Sequence, residues 1–213
     1  MTHLSAPSAS GVDVVRDVAR LLDNFPLLTR QRALTPDLRQ AHRHLLNTIA
    51  HEGRPPTDLD PSAVRTLAAE DVIVADEDGI TGAYPFSLIP TGHRLRIGGT
   101  VEVYAMCSID AVAVAPVWRL PTRIESTCAH TGVPVRLDQQ PDGAESDPGD
   151  VRLGIHWQVP QGSASTSMCR EMVFLAGPDA ARGWQEDGGE ASVYTMEEGI
   201  EFGRRFFAPL LVD

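Results

Sequence analysis

The order of hydrophobic and polar residues divides the chain into a helical first part and a mainly β second part. Apolar residues recur at helical spacing over residues 12–22 and again over residues 37–51, where Pro36 stands at the start of the second pattern. Pro61 opens a shorter pattern over residues 62–70. We therefore predict three helices in the first third of the chain.

A β-hairpin is predicted directly after these helices. The apolar residues 72–75 and the residues 80–84 flank Asp76-Glu-Asp-Gly79, an acidic sequence that ends in the glycine typical of tight turns. Helices followed by a hairpin resemble a winged-helix module, which in one interpretation binds DNA and in a plainer one packs as a small domain. Acidic residues in and around the hairpin repel phosphate, so we favour the plainer interpretation.

After residue 84 the pattern changes to β alternation and β-branched residues. The predicted strands contain residues 95–97, 101–104, 133–137, 151–157 and 172–175. Residues 139–150 are acidic and contain proline and glycine, so we predict a loop there. A closing helix is predicted over residues 196–207, because glutamates lie in its first turn and arginines in its last.

The predicted fold class is α+β. An N-terminal helical, winged-helix-like module covers residues 12–84, and a mostly antiparallel β body with a C-terminal helix covers residues 85–213. Residues 1–11 are rich in serine and alanine and contain proline, so we predict a disordered N-terminus. In this division the second domain carries every cysteine and is the predicted catalytic domain.

Composition and charge narrow the possible partners. The 213 residues suffice for one substantial core, and the net charge of −11 argues against a general phosphate-binding surface, so we do not expect nucleic acid as a partner. The N-terminus lacks a basic region leading into an apolar one, and no apolar run is long enough to span a membrane. We therefore expect no membrane association, and a cytoplasmic protein whose three cysteines are reduced thiols.

The three cysteines, Cys107, Cys128 and Cys169, carry the thiol chemistry of the chain, and the only other sulfur atoms belong to five methionines. Structural zinc sites bring cysteines in closely spaced pairs, which this sequence lacks, and a Cys-x-x-Cys redox motif is absent too. A Cys–His hydrolase needs a general base such as His130 or His156, but neither histidine lies in a recognisable hydrolase motif. Zinc binding and Cys–His hydrolysis are therefore the weaker alternatives.

Soft-metal chemistry fits the cysteines better. Thiolates select soft cations, so Cys107 and Cys169 together suit a large, soft metal that prefers few ligands. Asp110 comes three residues after Cys107 and shares that site if the chain turns there. Beside thiolates and an apolar wall its pKa should rise, which allows it to hold and deliver a proton. Two thiolates and a proton carrier are what protonolysis of a metal–carbon bond requires.

Three segments around the cysteines resemble the bacterial organomercurial (alkylmercury) lyases. Tyr104-Ala-Met-Cys107-Ser-Ile-Asp110 resembles the family's Tyr-Ala-Trp-Cys-Ala-Leu-Asp, and Ser126-Thr-Cys128-Ala-His-Thr-Gly132 resembles its Ser-x-Cys-x-x-Thr-Gly. Ser167-Met-Cys169 falls where the family has its second reactive cysteine. The resemblance covers residues 80–213 well and implies the α+β fold predicted above.

The resemblance also implies a role for each residue of the site. Cys107 attacks mercury, Cys169 completes a bis-thiolate at the metal, and Asp110 relays the thiol proton to the leaving carbon. All three are then expected to contact the mercury of the substrate or product, so no separate cofactor is expected. Cys128 matches a structural cysteine of the family. The implied partners are organomercurial substrates, with mercuric reductase or low-molecular-weight thiols as acceptors of mercuric ion, and external thiols are needed for product release.

Two other functions stay open at this point. A thiolate-based metal-responsive regulator combines the winged-helix-like module with a metal site, but it requires DNA binding, which the acidic balance disfavours. A metal-binding protein that cleaves no bond needs no proton carrier, so the presence of Asp110 favours the lyase.

Overall fold

The computed structural model describes residues 12–158, 162–186 and 188–212, so the predicted disordered segment 1–11 lies outside the described residues. The helices are α1 (Val14–Asn24), α2 (Leu27–Ala33), α3 (Pro36–Glu52), α4 (Pro61–Ala69), α5 (Ser108–Trp118), α6 (Pro178–Glu186) and α7 (Met196–Phe207). The strands are β1 (Ile73–Asp76), β2 (Gly79–Ala83), β3 (Phe86–Ser87), β4 (Arg94–Ile97), β5 (Val101–Ala105), β6 (Thr122–Thr127), β7 (Pro134–Gln140), β8 (Gly143–Asp147), β9 (Arg152–His156), β10 (Met172–Leu175) and β11 (Ala191–Tyr194).

The predicted N-terminal helices are confirmed as α1, α3 and α4, and the hairpin as β1 and β2. Each helix begins where a side chain satisfies the free backbone N–H groups. The Asp13 carboxylate accepts from the N–H of Arg16, and the Thr35 hydroxyl accepts from the N–H of Leu38. The α2 helix was not predicted, because its seven residues are too few to show a period.

The strands form two antiparallel sheets. The larger has eight strands in the order β1-β2-β3-β5-β4-β6-β7-β8, and the smaller has three in the order β10-β9-β11. The sheets meet at Cys128, whose backbone forms a bridge to Phe174 of β10. These observations confirm the α+β class, with helices first, a mostly antiparallel body and a closing helix. The proposed boundary at residues 84/85 falls between β2 and β3, which pair within one sheet, so the division into two domains stays a prediction.

Several elements of the second part were not predicted, namely β3, α5, β6, β8, α6 and β11, and two of them show why. The predicted loop at residues 139–150 is wrong at its centre, where β8 pairs with β7 along the edge of the large sheet. Its side chains are half-buried or exposed throughout, so no apolar alternation marked it as a strand. The α5 helix was missed because its residues are apolar on all sides, and an apolar stripe exists only when a polar face opposes it.

The α5 helix is the centre of the molecule. It contacts β5, β6 and β7 of the large sheet, and it packs closely against α7. Gly203 permits this close approach, since a Cβ at that position would lie 2.9 Å from the Cβ of Ala113. The α1 helix contacts α7 in turn. The first residues of α5 are buried among these elements. Within the described ranges, no helix combines the length and the apolar character needed to cross a membrane.

Candidate active site

Cys107 and Asp110 are placed by the junction between β5 and α5. Cys107 is the N-cap of α5, and its Sγ accepts a hydrogen bond from the backbone N–H of Asp110 at 3.4 Å. Asp110 lies in the first turn of the helix, so its carboxyl group returns to the same end as the thiol. The turn that the sequence analysis required for a shared site is therefore present.

Cys169 comes to the same place from a different part of the chain. It lies in a short 3₁₀ turn, Met168–Glu171, that runs directly into β10, and β10 contacts α5. The Cys169 Sγ donates to Asp110 Oδ2 at 3.8 Å. The two Sγ atoms and a carboxylate oxygen all lie within 4.8 Å of one another, and all three residues are buried. Across the ranges that the structure describes, no other three His, Cys, Asp or Glu residues are close enough to share a metal ion.

Burial controls the protonation of this group. It raises the pKa of the Cys107 thiol well above its usual value, although the backbone N–H of Asp110 favours the thiolate. It also raises the pKa of Asp110 to about 7, against the hydrogen bonds from the Cys107 and Cys169 thiols. A hydrogen bond from Cys107 lowers the pKa of Cys169, but burial and the nearby Asp110 raise it overall. Two neutral thiols thus face a carboxyl group that is near half-ionised at neutral pH.

A small apolar cavity of about 10 Å³ adjoins Asp110 and Cys169. Leu21 and Phe25 come from α1, Phe206 and Phe207 from α7, and Met168 and Met172 from the segment around Cys169. These walls exclude water from the carboxyl group and the thiols, which is the physical cause of the raised pKa values. At this volume the cavity has room for about one water molecule, so the side chains of its wall must move to admit a substrate.

A partly buried hydrogen-bond network holds the segment that carries Cys169. The Tyr84 hydroxyl donates to Asp71 Oδ1 at 3.1 Å, accepts from the backbone N–H of Ser165 at 3.1 Å and lies 3.1 Å from Ser163 Oγ. The other carboxylate oxygen of Asp71 pairs with Arg30 at 2.7 Å. The network therefore ties the segment before Cys169 to the helices and hairpin of the N-terminal part. Sequence reasoning missed it, because its members are scattered along the chain and carry no motif.

Cys128 lies outside the group of three. Its Sγ accepts hydrogen bonds from the N–H of Thr131 at 3.4 Å and of Ala176 at 3.2 Å, at the seam between the two sheets. Burial raises the pKa of the Cys128 thiol, but hydrogen bonds from Thr131 and the Ala176 N–H outweigh it and lower the pKa. These contacts are what the predicted structural role of Cys128 requires.

The histidines considered as general bases have other surroundings. The His156 ring stacks on Trp184 with 3.7 Å between the ring centroids, and its Nδ1 lies 3.5 Å from a Glu171 oxygen. The His130 ring packs against the backbone of Gly183. The group formed by Cys107, Asp110 and Cys169 contains a carboxyl group and no imidazole, so the proton acceptor beside these thiols is Asp110.

Comparison with known proteins agrees with the geometry. A family model described as alkylmercury lyase matches residues 86–208. The alkylmercury lyase of Streptomyces lividans is 33% identical over 180 residues, which cover 79% of this chain and 82% of that protein. The alkylmercury lyase of Staphylococcus epidermidis is 30% identical over 161 residues, which cover 75% of this chain and 73% of that protein.

The fold has a counterpart among solved structures. The crystal structure of the mercury-bound form of MerB2 superposes with a TM-score of 0.74 at 20% sequence identity, over 91% of this chain and 100% of that chain. The superposition includes the N-terminal helices as well as the sheets, because so little of either chain is left out. The resemblance inferred from the three cysteine segments is confirmed by the family match, and the α+β fold by the superposition.

Proposed function

The chain belongs to the alkylmercury lyase family, and we propose that it cleaves the carbon–mercury bond of organomercurials by protonolysis, giving a hydrocarbon and mercuric ion. The observation that carries the mechanism is the buried group of Cys107, Asp110 and Cys169, whose ligand atoms lie within 4.8 Å of one another. Two soft donors and a proton carrier within contact of one another are the parts that this reaction needs.

In the proposed first step, Cys107 attacks the mercury atom of the substrate and displaces its counter-ligand. The Cys107 thiol must lose its proton to do so, and burial makes that loss unfavourable without a base. The Asp110 carboxylate is that base, since it lies beside the thiol and its pKa of about 7 suits proton transfer at neutral pH. The proton leaves sulfur, binds Asp110, and a mercury–sulfur bond forms.

In the second step, Cys169 binds the same mercury atom, and the carbon–mercury bond breaks. The two sulfur donors increase the electron density on the carbon, and Asp110 transfers its proton to that carbon as the bond to mercury is lost. The bond electrons stay with carbon, so no electron donor is needed. Of the two thiol protons, one ends in the hydrocarbon and one goes to solvent, while mercuric ion remains bound to Cys107 and Cys169.

The cavity wall contributes to both steps. Apolar side chains keep the Asp110 carboxyl group protonated long enough to act as an acid, because a solvated carboxylate would remain ionised. They also give the hydrocarbon group of the substrate a surface to occupy, and Phe25, Phe206 and Phe207 supply aromatic faces there.

We further propose that no separate cofactor takes part, because mercury arrives as part of the substrate. Low-molecular-weight thiols or a mercuric reductase are the proposed acceptors of mercuric ion, since two thiolates bind it too tightly for spontaneous release. The three free cysteines agree with a reducing cytoplasmic compartment. For the metal-responsive regulator, the predicted wing hairpin is paired with β3 as part of the large sheet, and the acidic residues around the hairpin disfavour DNA binding.

The test is to incubate the reduced protein with phenylmercuric acetate and excess cysteine and to follow benzene by gas chromatography. We expect benzene over many turnovers from the wild-type protein, and none from Cys107→Ser. Mercury bound at two thiols without benzene would contradict the proposal and indicate a binding protein. Cys128→Ser serves as the matched control, because it also removes one buried thiol but leaves the group of three intact.

A further inference from the structure

A thioether sulfur lies beside the reactive thiols. The Sδ atom of Met172 is 3.6 Å from the Cys107 Sγ, in the geometry of a thiol that donates to a sulfur acceptor. Met172 is 5% exposed and lines the same cavity as Asp110 and Cys169. A third sulfur atom therefore lies beside the thiols at which mercury would bind. The sequence shows five methionines, but nothing in their spacing singles this one out.

We propose that Met172 is a third sulfur donor to the mercury held by Cys107 and Cys169. The inference rests on the proposed function, because it concerns the mercury of that reaction. A thioether is a soft, polarisable and neutral donor, and soft donors select soft cations. It donates a lone pair and has no proton to lose, so the proton balance of the reaction is unchanged and the two thiols still supply every proton.

The backbone holds Met172 in position for this role. It is the first residue of β10 and pairs with Ile155 of β9, so its Cα is fixed by a sheet rather than by a loop. Cys169 lies three residues earlier in the 3₁₀ turn that leads into the strand. Mercury bound to Cys169 is therefore held close to a side chain whose sulfur already contacts the other thiol.

The other methionines near the site show that this contact is particular to Met172. Met168 lines the same cavity, but the sulfur–sulfur contact with Cys107 is made by Met172. The methyl end of Met106 packs against Gly82 of the large sheet. Methionine often fills gaps in a core without further function. Exchange for leucine nearly conserves the volume and replaces the thioether by a branched hydrocarbon that cannot donate to a metal, so it tests donation with little change in packing.

A third donor has two consequences for the reaction. It adds electron density to mercury before the carbon–mercury bond breaks, which favours protonation of the carbon by Asp110. It also holds the mercuric ion after the hydrocarbon has left, so transfer to an external thiol becomes slower. The second consequence can be measured on the product complex, without any cleavage.

The first experiment loads the reduced protein with mercuric chloride and follows transfer of mercury to excess dithiol by stopped-flow absorbance. We expect Met172→Leu to release mercury roughly fivefold faster than the wild-type protein, as expected when one weak donor is lost. Met196→Leu is the matched control, because Met196 lies at the start of α7 and does not line the cavity, and it should release mercury at the wild-type rate. Equal rates in wild type and Met172→Leu would overturn the proposal.

The second experiment detects the donor directly. In selenomethionine-labelled protein, each selenium-77 resonance is assigned as the one that disappears in Met172→Leu, Met168→Leu or Met106→Leu. The Met172 resonance should shift when mercuric chloride binds, and the Met168 and Met106 resonances should shift less. An unshifted Met172 resonance would overturn the proposal even if release were faster, because the effect would then come from packing. A shifted resonance in a protein that forms no benzene would support the donor and contradict the lyase. Benzene formation with an unshifted Met172 resonance would support the lyase and contradict the donor.

Discussion

The two thiols of the site are held by different kinds of structure. Cys107 caps a buried helix, and its distance to Asp110 is set by one helical turn. Cys169 lies in a short 3₁₀ turn whose preceding segment is attached through hydrogen bonds of Tyr84, Ser163 and Ser165. One half of the site is thus determined by local backbone geometry and the other by contacts between distant residues. We expect the positions of Cys107 and Asp110 to survive substitutions elsewhere in the fold. The position of Cys169 should change when the residues that hold its segment are substituted.

The largest expected effect comes from removing either thiol. Cys107→Ser and Cys169→Ser should each reduce turnover by about a thousandfold or more, because residues that act as a unit lose nearly all activity together. A second measurement compares the two variants: the number of mercury atoms that each protein retains in the presence of a low concentration of competing thiol. Each variant should keep a single-thiolate adduct, which is easily displaced. Benzene release and circular dichroism measure activity and folding, and near-normal turnover in either variant would rule out the assigned pair.

The next effect comes from the carboxyl group that both thiols contact. Asp110→Asn should lower kcat by roughly a hundredfold to ten-thousandfold, since it removes the proton carrier but keeps the shape. Mercuric ion should still bind at the two thiols. In the wild-type protein, kcat/KM should rise as the pH increases through about 7, because the Asp110 carboxylate must be ionised to accept the thiol proton. A flat pH profile, or normal turnover of the variant, would refute the relay.

The same substitution should change stability in a pH-dependent way. The pKa of Asp110 is raised in the folded protein, so the wild type loses stability as the pH rises from about 4 through about 7. Asp110→Asn carries no charge and should be more stable than the wild type at pH 8 by roughly 2–4 kcal/mol, with a smaller difference at pH 5. Urea unfolding at the two pH values measures this. An equal difference in the free energy of unfolding between variant and wild type at both pH values would show that the Asp110 pKa is not raised by folding.

A smaller effect tests the half of the site that depends on distant contacts. Tyr84→Phe removes the hydroxyl that joins Asp71 to the backbone of Ser165, and should lower kcat/KM by roughly tenfold through a misplaced Cys169. Tyr194→Phe is the matched control, because its hydroxyl also donates to a carboxylate, that of Asp17 on α1. Each variant should lose about 1–2 kcal/mol of stability. Equal activity of the two variants would show that the network serves the fold alone.

The smallest effect is expected at Cys128. Cys128→Ser should cost about 1 kcal/mol of stability, since the hydroxyl is shorter than the thiol and fits the two backbone N–H donors less well. Turnover per folded molecule should be unchanged. The measurement is a thermal melt together with benzene release, and a large loss of turnover without a loss of stability would assign Cys128 a direct role.

The same contrast explains how much was predictable from the sequence. The spacing of Cys107 and Asp110 is local, so a single turn of chain was enough to place them together. The closing helix was predictable because charged residues mark its ends, and the structure adds a capping box between Thr195 and Glu198. The β8 strand and the α5 helix were not, because neither shows an apolar period: the first is an edge strand and the second is buried on all sides.

The contacts made across the fold were beyond the sequence for a different reason. Tyr84 and Met172 gain their roles only through the packing of β2, β10 and the 3₁₀ turn, and the residue types alone are ordinary for a core. Pairing Cys169 with Cys107 depended on the resemblance to the family, because no spacing relates the two. That resemblance lay in the segments around the reactive groups, where chemistry restricts the residue types.

The helix cap at Cys107 makes the α5 backbone a sensor of what is bound at the sulfur. The sulfur that accepts the N–H of Asp110 is also the atom that binds mercury in the proposed reaction, so the strength of the cap changes each time mercury arrives and each time it leaves. The amide proton of Asp110 should therefore exchange with deuterium at a different rate in the mercury-loaded protein than in the free one. The exchange rate of this one backbone amide therefore reports whether mercury is bound to Cys107.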